Sequence, residues 1–194
     1  MRTYAMSEED GGAPEPVAGV SVAGAGACIV GRQGVDLAKL LPELQPDKHY
    51  HIPSRANWSL HEMLGYLLGK TGPAKVWVTS WGITQGPLDK VMGMQRDGRI
   101  QELSVLFDKR VKLQCPQAHQ LLLAGNAKVR LTKNHSKLIV IRNDHWGITV
   151  ITSANLTRNV RLEYYVVCTQ PLIADWNIGW LDLEMQGAQP FAAE

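Results

Sequence analysis

The feature that most constrains this chain is a pair of short apolar runs joined by a turn. Lys137–Arg142 and Gly147–Thr152 are rich in β-branched residues, and Asn143-Asp144 between them is a turn signal, so the pair predicts a β-hairpin. Ala127–Leu131 precedes it and Glu163–Thr169 follows, so four strands come in close succession. Upstream, strands alternate with helices. Ser59 reads as an N-cap with Glu62 completing a capping box, and Leu60, Met63, Leu64, Leu67 and Leu68 follow at helical spacing. Gly69 and the Thr71-Gly72-Pro73 turn close that helix. Lys75–Thr84 alternates Val76, Val78 and Ser80 against Trp77, Thr79 and Trp81, as a strand does. Pro87–Gln95 and Pro116–Ala124 read as helices, with a strand at Ile100–Phe107 between them. Pro171–Glu184 reads as a terminal helix with Trp176 and Trp180 on one face. The order β-α-β-α-β-β-β-β-α predicts an α/β (α+β) domain, a mixed β-sheet flanked by helices.

With 194 residues the chain is expected to hold one domain, at 46–194, behind a flexible Gly/Ala/Pro-rich arm at 1–45. A short helix is expected within that arm at Val35–Leu44, closed by Pro46. No apolar run reaches the roughly 18 residues of a membrane span, so no stable membrane insertion is expected. Val17–Val30 is apolar, but Glu8, Glu9, Asp10 and Glu15 precede it, where a signal peptide has a positive start. Three widely spaced cysteines, Cys28, Cys115 and Cys168, read as reduced thiols in a cytoplasmic protein.

Charge is uneven although the net value is only +2. From Arg96 to Arg161 there are twelve Lys or Arg against four Asp or Glu; from Leu162 onward there are five acids and no base. Such a stretch suits an anionic partner, nucleic acid or phospholipid headgroups, or else is a solvated basic face. Lys109, Arg110, Lys112, Lys128, Arg130 and Lys133 are candidates to track phosphates.

The chemistry concentrates in Asn134–Asn143 and Gly147–Thr157. Residues i and i+2 of a strand share a face, so His135 and Lys137 are expected to project together from one sheet edge. The hairpin would return Ser153 and Asn155 beside them. An imidazole can attack phosphorus, while an ammonium and a carboxamide hold the non-bridging oxygens. No carboxylate cluster lies nearby in the sequence, so this chemistry calls for no metal and no cofactor. His49 and His51 form an HxH pair without a third ligand in view and read as surface histidines; His61, His119 and His145 read as structural or exposed. Trp58, Trp77 and Trp81 could stack on bases or pack in the core, with Trp81, at a strand end, the best stacking candidate.

Over Asn134–Thr169 the sequence resembles the HxK…N signature of the phospholipase D superfamily. Seventeen residues separate Lys137 from Asn155, as in family members, and Ser153-x-Asn155-x-Thr157 is similar to the family's Gly-Ser-x-Asn segment. The resemblance implies His135 as nucleophile, Lys137, Asn155 and Ser153 at the phosphate, and Glu163 orienting the histidine by a hydrogen bond. Lys133, Arg130, Trp81 and Thr157 would contact substrate. Arg142 stands where the family pattern has Asp, and Thr152 where it has Gly. Asp144, on the same face as Arg142 if the strand continues, could stand in for that carboxylate.

The family mechanism uses two histidines, and this chain has one HxK and no internal repeat. The resemblance therefore implies a homodimer with two copies of His135 facing one phosphate across a two-fold axis. The expected function is a metal-independent nuclease acting through a phosphohistidine, on DNA more readily than RNA. The alternatives are a non-catalytic phosphate-binding module and a lipid phosphodiesterase.

Overall fold

The computed structural model describes residues 21–22, 26–28, 36–55, 58–158, 160–187 and 189–190. Its strands are β1 (Ser21–Val22), β2 (Gly26–Cys28), β3 (His49–Arg55), β4 (Ala74–Ser80), β5 (Ile100–Asp108), β6 (Lys128–Thr132), β7 (Leu138–Arg142), β8 (Gly147–Thr152), β9 (Leu162–Cys168) and β10 (Gln189–Pro190). Its helices are α1 (Leu37–Leu40), α2 (Leu60–Thr71), α3 (Gln85–Arg96), α4 (Val111–Gln114), α5 (Pro116–Leu123) and α6 (Pro171–Gly187). The strands form one sheet in the order β1-β2-β3-β9-β8-β7-β4-β5-β6-β10. It is mixed: β4, β5 and β6 run parallel, while β4-β7-β8-β9-β3 are successively antiparallel.

The hairpin sits at the centre because both its faces are apolar. In β7, Ile139 and Ile141 join the large core with α2 and α3, while Leu138 and Val140 face the other way, against α6. Such two-sided burial is why this stretch reads as a continuous apolar run. Gly147 lets α6 approach β8: a Cβ there would lie 2.6 Å from the Pro171 Cα. The Glu62 carboxylate accepts the Ser59 N–H at 2.6 Å, forming the capping box the sequence suggests for α2.

One full strand, β3, and the short elements β1, β2, α4 and β10 have no counterpart in the sequence pattern. The strand β3 pairs along its whole length with β9, and its Pro53 and half-buried histidines hide a strand pattern. Within the stretch expected as an arm, β2 pairs with β3, and the short helix expected at Val35–Leu44 is present as α1, which buries Leu37, with Leu41 just beyond it, against the core. Residues 1–20, 23–25 and 29–35 of that stretch lie outside the described residues. No helix among those described is long and apolar enough to cross a membrane.

Candidate active site

The site lies at one edge of the sheet, where β4 and β5 end, β7 begins, β8 ends and β9 begins. The carboxyl ends of parallel strands are a common place for ligand sites, because chains diverge there and expose polar groups. The His135–Lys137 segment is a loop leading into β7 rather than part of the strand. A buried asparagine shapes it. Asn134 donates from Nδ2 to the carbonyls of Ser80 and Leu106 at 3.2 Å each, and its Oδ1 accepts the Ser136 N–H at 3.0 Å and hydroxyl at 2.6 Å. The Ser136 hydroxyl also meets Thr79 Oγ1 at 2.7 Å. With Asn134 and Ser136 turned inward, the alternate residues His135 and Lys137 turn outward together.

Neighbouring strands bring the rest. The Thr152 N–H donates to the Lys137 carbonyl at 3.2 Å, and the Ser153 N–H to the Tyr164 carbonyl at 3.1 Å. This places the end of β8 between the HxK loop and Glu163. The Ser153 hydroxyl donates to the Glu163 carboxylate and accepts the Tyr164 N–H at 3.1 Å. Asn155 Oδ1 accepts the Gly82 N–H at 3.3 Å and the Ser80 hydroxyl at 3.4 Å. With its oxygen engaged by Gly82 and Ser80, the amide retains two N–H donors on its NH2.

The Lys137 ammonium donates to the His135 carbonyl at 2.7 Å and lies 3.4 Å from His135 Nδ1. Burial holds its pKa below the ordinary lysine value, against the opposing charge of Glu163. The His135 ring packs edgewise on Trp81, with centroids 5.6 Å apart. Arg110 lies over the Trp81 ring at 4.6 Å and pairs with Asp108 at 2.7 Å. Asp108 also accepts the Asn134 N–H at 3.2 Å. Burial alone would raise the Asp108 carboxyl, but its bonds to Arg110 and Asn134 outweigh that and hold it below its usual value.

The structure thus brings His135, Lys137, Ser153, Asn155, Glu163 and Trp81 to one edge. Glu163 meets Ser153, while the His135 ring faces Trp81 and Lys137. Lys133 is exposed beside the HxK loop, and Thr157 is half-buried beyond Asn155. Arg130 stands elsewhere, lining a separate cavity of about 550 Å³ with Lys128 and Asp182. Trp77 is packed beneath α6, its indole N–H on Asp182 at 2.9 Å. His49 and His51 bind Gln170 and Tyr164, each at 3.1 Å. Among the described residues no three His, Cys, Asp or Glu gather to hold a metal.

Arg142 closes the far end of β7, about 16 Å from Lys137 at strand rise. It pairs with Asp175 of α6 at 2.8 Å, so the carboxylate beside this position comes from Asp175. Asn134, Ser136, Ser80 and Asp108 shape the site without having been singled out in the sequence for a role there, and Arg110, a candidate phosphate contact, lies over Trp81. Only Asp108, two residues before Arg110 at a strand end, carried a local signal, an Asx turn with the Arg110 N–H on its carboxylate at 3.0 Å.

This architecture is the phospholipase D-type fold. The chain is similar to Nuc, a phospholipase D family member from Salmonella typhimurium, with TM-score 0.54 and 12% identity, over 67% of this chain and 91% of that one. It is similar to NucT from Helicobacter pylori, with TM-score 0.56 and 14% identity, over 74% and 99%. It is also similar to TrmBL2, an archaeal chromatin protein with a novel mode of DNA binding, with TM-score 0.54 and 10% identity, over 79% and 58%. At these identities the likeness concerns the fold. The sequence matches no family model and no curated protein.

Proposed function

We propose that the chain is a metal-independent phosphodiesterase that cuts nucleic acid through a covalent phosphohistidine, working as a homodimer. The observation that carries this reading is the meeting of His135, Lys137, Ser153, Asn155 and Glu163 at one edge. In the first step a His135 ring nitrogen attacks phosphorus. A P–N bond forms while the P–O bond to the leaving oxygen breaks, and His135 of a second copy gives that oxygen its proton. The deprotonated imidazole of the second copy then takes a proton from water. The new hydroxide attacks phosphorus, the P–N bond breaks, and its electron pair returns to the ring. Lys137 and the Asn155 NH2 hold the non-bridging oxygens through both steps. Ser153 and Glu163, bonded to each other, fix the pocket wall.

A second copy has an apolar surface to meet: Val160, Leu162 and Tyr164 are exposed on either side of Glu163. The basic residues at this edge favour nucleic acid. Lys109 and Arg110 follow β5 and Lys133 follows β6, beside Lys137. TrmBL2, which is similar in fold over 58% of its own chain, is a DNA-binding chromatin protein.

The test is cleavage of DNA in excess EDTA, wild type beside His135→Ala. Cleavage by wild type and none by the variant supports the reading. Strict dependence on magnesium, or equal cleavage by both, overturns it. Salt-dependent DNA binding with no turnover would instead favour a non-catalytic binding module.

A further inference from the structure

Beside the phosphate-binding side chains lies a groove of about 640 Å³, walled by His135, Lys137 and Ser153 on one side and by Trp176 and Trp180 on the other. Leu138 and Ile151 form part of its lining. We infer that this groove is a base-binding subsite: a nucleobase next to the scissile phosphate stacks on Trp176, so that the preferred substrate is a nucleic-acid segment with unpaired bases. The inference rests on the phosphodiesterase reading and adds the substrate class.

Three observations on the groove choose its occupant. First, it is continuous with His135 and Lys137, so whatever fills it is attached to the phosphate they hold. Second, Trp176 is 69% exposed, a high value for so large an apolar side chain. Trp180 stands one turn further along the same face of α6, anchored by its N–H on Asn177 Oδ1 at 2.9 Å. One indole is thus free to stack, and the other is fixed as a wall. Third, charge divides across the groove. The cations, Lys137 and the neighbouring Lys133, lie on the loop side, whereas α6 carries no Lys or Arg. Two α6 carboxylates are already engaged, Asp175 by Arg142 and Asp182 by the Trp77 N–H. A nucleotide has this same division: an anionic phosphate at one end and a flat, uncharged aromatic base at the other.

The single-strand preference follows from stacking. An indole can cover a base only if that face is free, and in a duplex both faces are covered by neighbouring pairs. The groove is also of the size usual for small-ligand sites.

The experiment compares, in EDTA, three substrates of one length: a single-stranded thymidine oligonucleotide, its duplex with a complement, and a strand of abasic tetrahydrofuran residues with the same phosphates. Wild type, Trp176→Ala and Trp176→Phe are each measured for kcat/KM and for oligomeric state by sizing. Wild type is expected to favour the thymidine strand over the abasic strand by about tenfold, equivalent to about 1.4 kcal/mol. Trp176→Ala should abolish that preference while leaving the abasic strand's rate unchanged, and Trp176→Phe should keep most of it. Equal rates on thymidine and abasic strands in wild type would overturn the inference, as would an equal loss on both strands in Trp176→Ala. So would conversion of Trp176→Ala to a monomer, which would mean that a second copy covers this face. If nothing is cut, the phosphodiesterase reading fails; anisotropy with labelled thymidine and abasic strands still decides the subsite, equal affinities refuting it and weaker abasic binding upholding it.

Discussion

Asn155 and Gly82 are joined by a hydrogen bond from the Gly82 N–H to the Asn155 Oδ1, 3.3 Å long, across 73 residues of sequence. It engages the amide oxygen, and under the proposed function the remaining NH2 binds the phosphate. Asn155→Asp preserves the acceptor but replaces NH2 with a charged oxygen, which would repel the phosphate of the proposed substrate. Loss of such a donor costs on the order of 10²–10³ in rate. The expected outcome is a fall of at least that size in kcat/KM with little change in Tm, checked by cleavage assays and thermal melts on one preparation.

Lys137 gives a pH prediction. Its pKa is held down by burial and pulled up by Glu163, so the ammonium loses its proton at lower pH than an ordinary lysine. Under the proposed function, phosphate binding by Lys137 is therefore expected on the acid side of that value and should be lost as pH rises through it. Glu163→Gln removes the upward pull, so the alkaline limb of kcat/KM should move to lower pH. A limb that stays in place, or moves up, would show that another group sets it.

The pair Arg142 and Asp175 tests whether the departure from the family pattern matters. Both side chains are substantially exposed, so the bridge is worth at most about 1 kcal/mol. Arg142→Asp places like charges together and should lower stability by about that amount, while kcat/KM in EDTA stays within about twofold, because the site is remote. The double exchange Arg142→Asp with Asp175→Arg should restore Tm. A large loss of activity at unchanged stability would contradict this account.

Gly147→Ala should displace α6, since the new methyl would overlap the Pro171 backbone. Overpacking of this kind costs about 1–3 kcal/mol. A lower Tm is expected, together with a greater loss of cleavage on the thymidine strand than on the abasic strand, because α6 carries Trp176.

Asn134→Leu should be the most damaging change near the site that touches no substrate. It removes the Asn134 bonds to the Ser80 and Leu106 carbonyls and frees Ser136, at roughly 1 kcal/mol for each hydrogen bond lost. Denaturant melts should show the loss, and kcat should fall because the HxK loop no longer turns His135 outward.

The sequence by itself determined the local elements and the chemical inventory. The β-branched runs of β7 and β8, the Asn143 turn, the Ser59–Glu62 cap and the spacing of His135, Lys137, Ser153, Asn155 and Glu163 depend on interactions within a few residues or on side-chain type, and both are written in order along the chain. The tertiary structure decided which of these meet. The strand β3 was illegible because its pattern makes sense only against β9, more than 100 residues away. Asn134 carried no local signal, because β4 and β5 supply its partners Ser80, Leu106 and Asp108 from 26 to 54 residues away. Arg130 and Lys133, three residues apart, part company because β6 carries one into another cavity and ends before the other. Arg142 looked like a lost carboxylate, yet the carboxylate beside it arrives from α6. Long-range pairing is set by packing free energy summed over the whole sheet, and no local pattern encodes that sum.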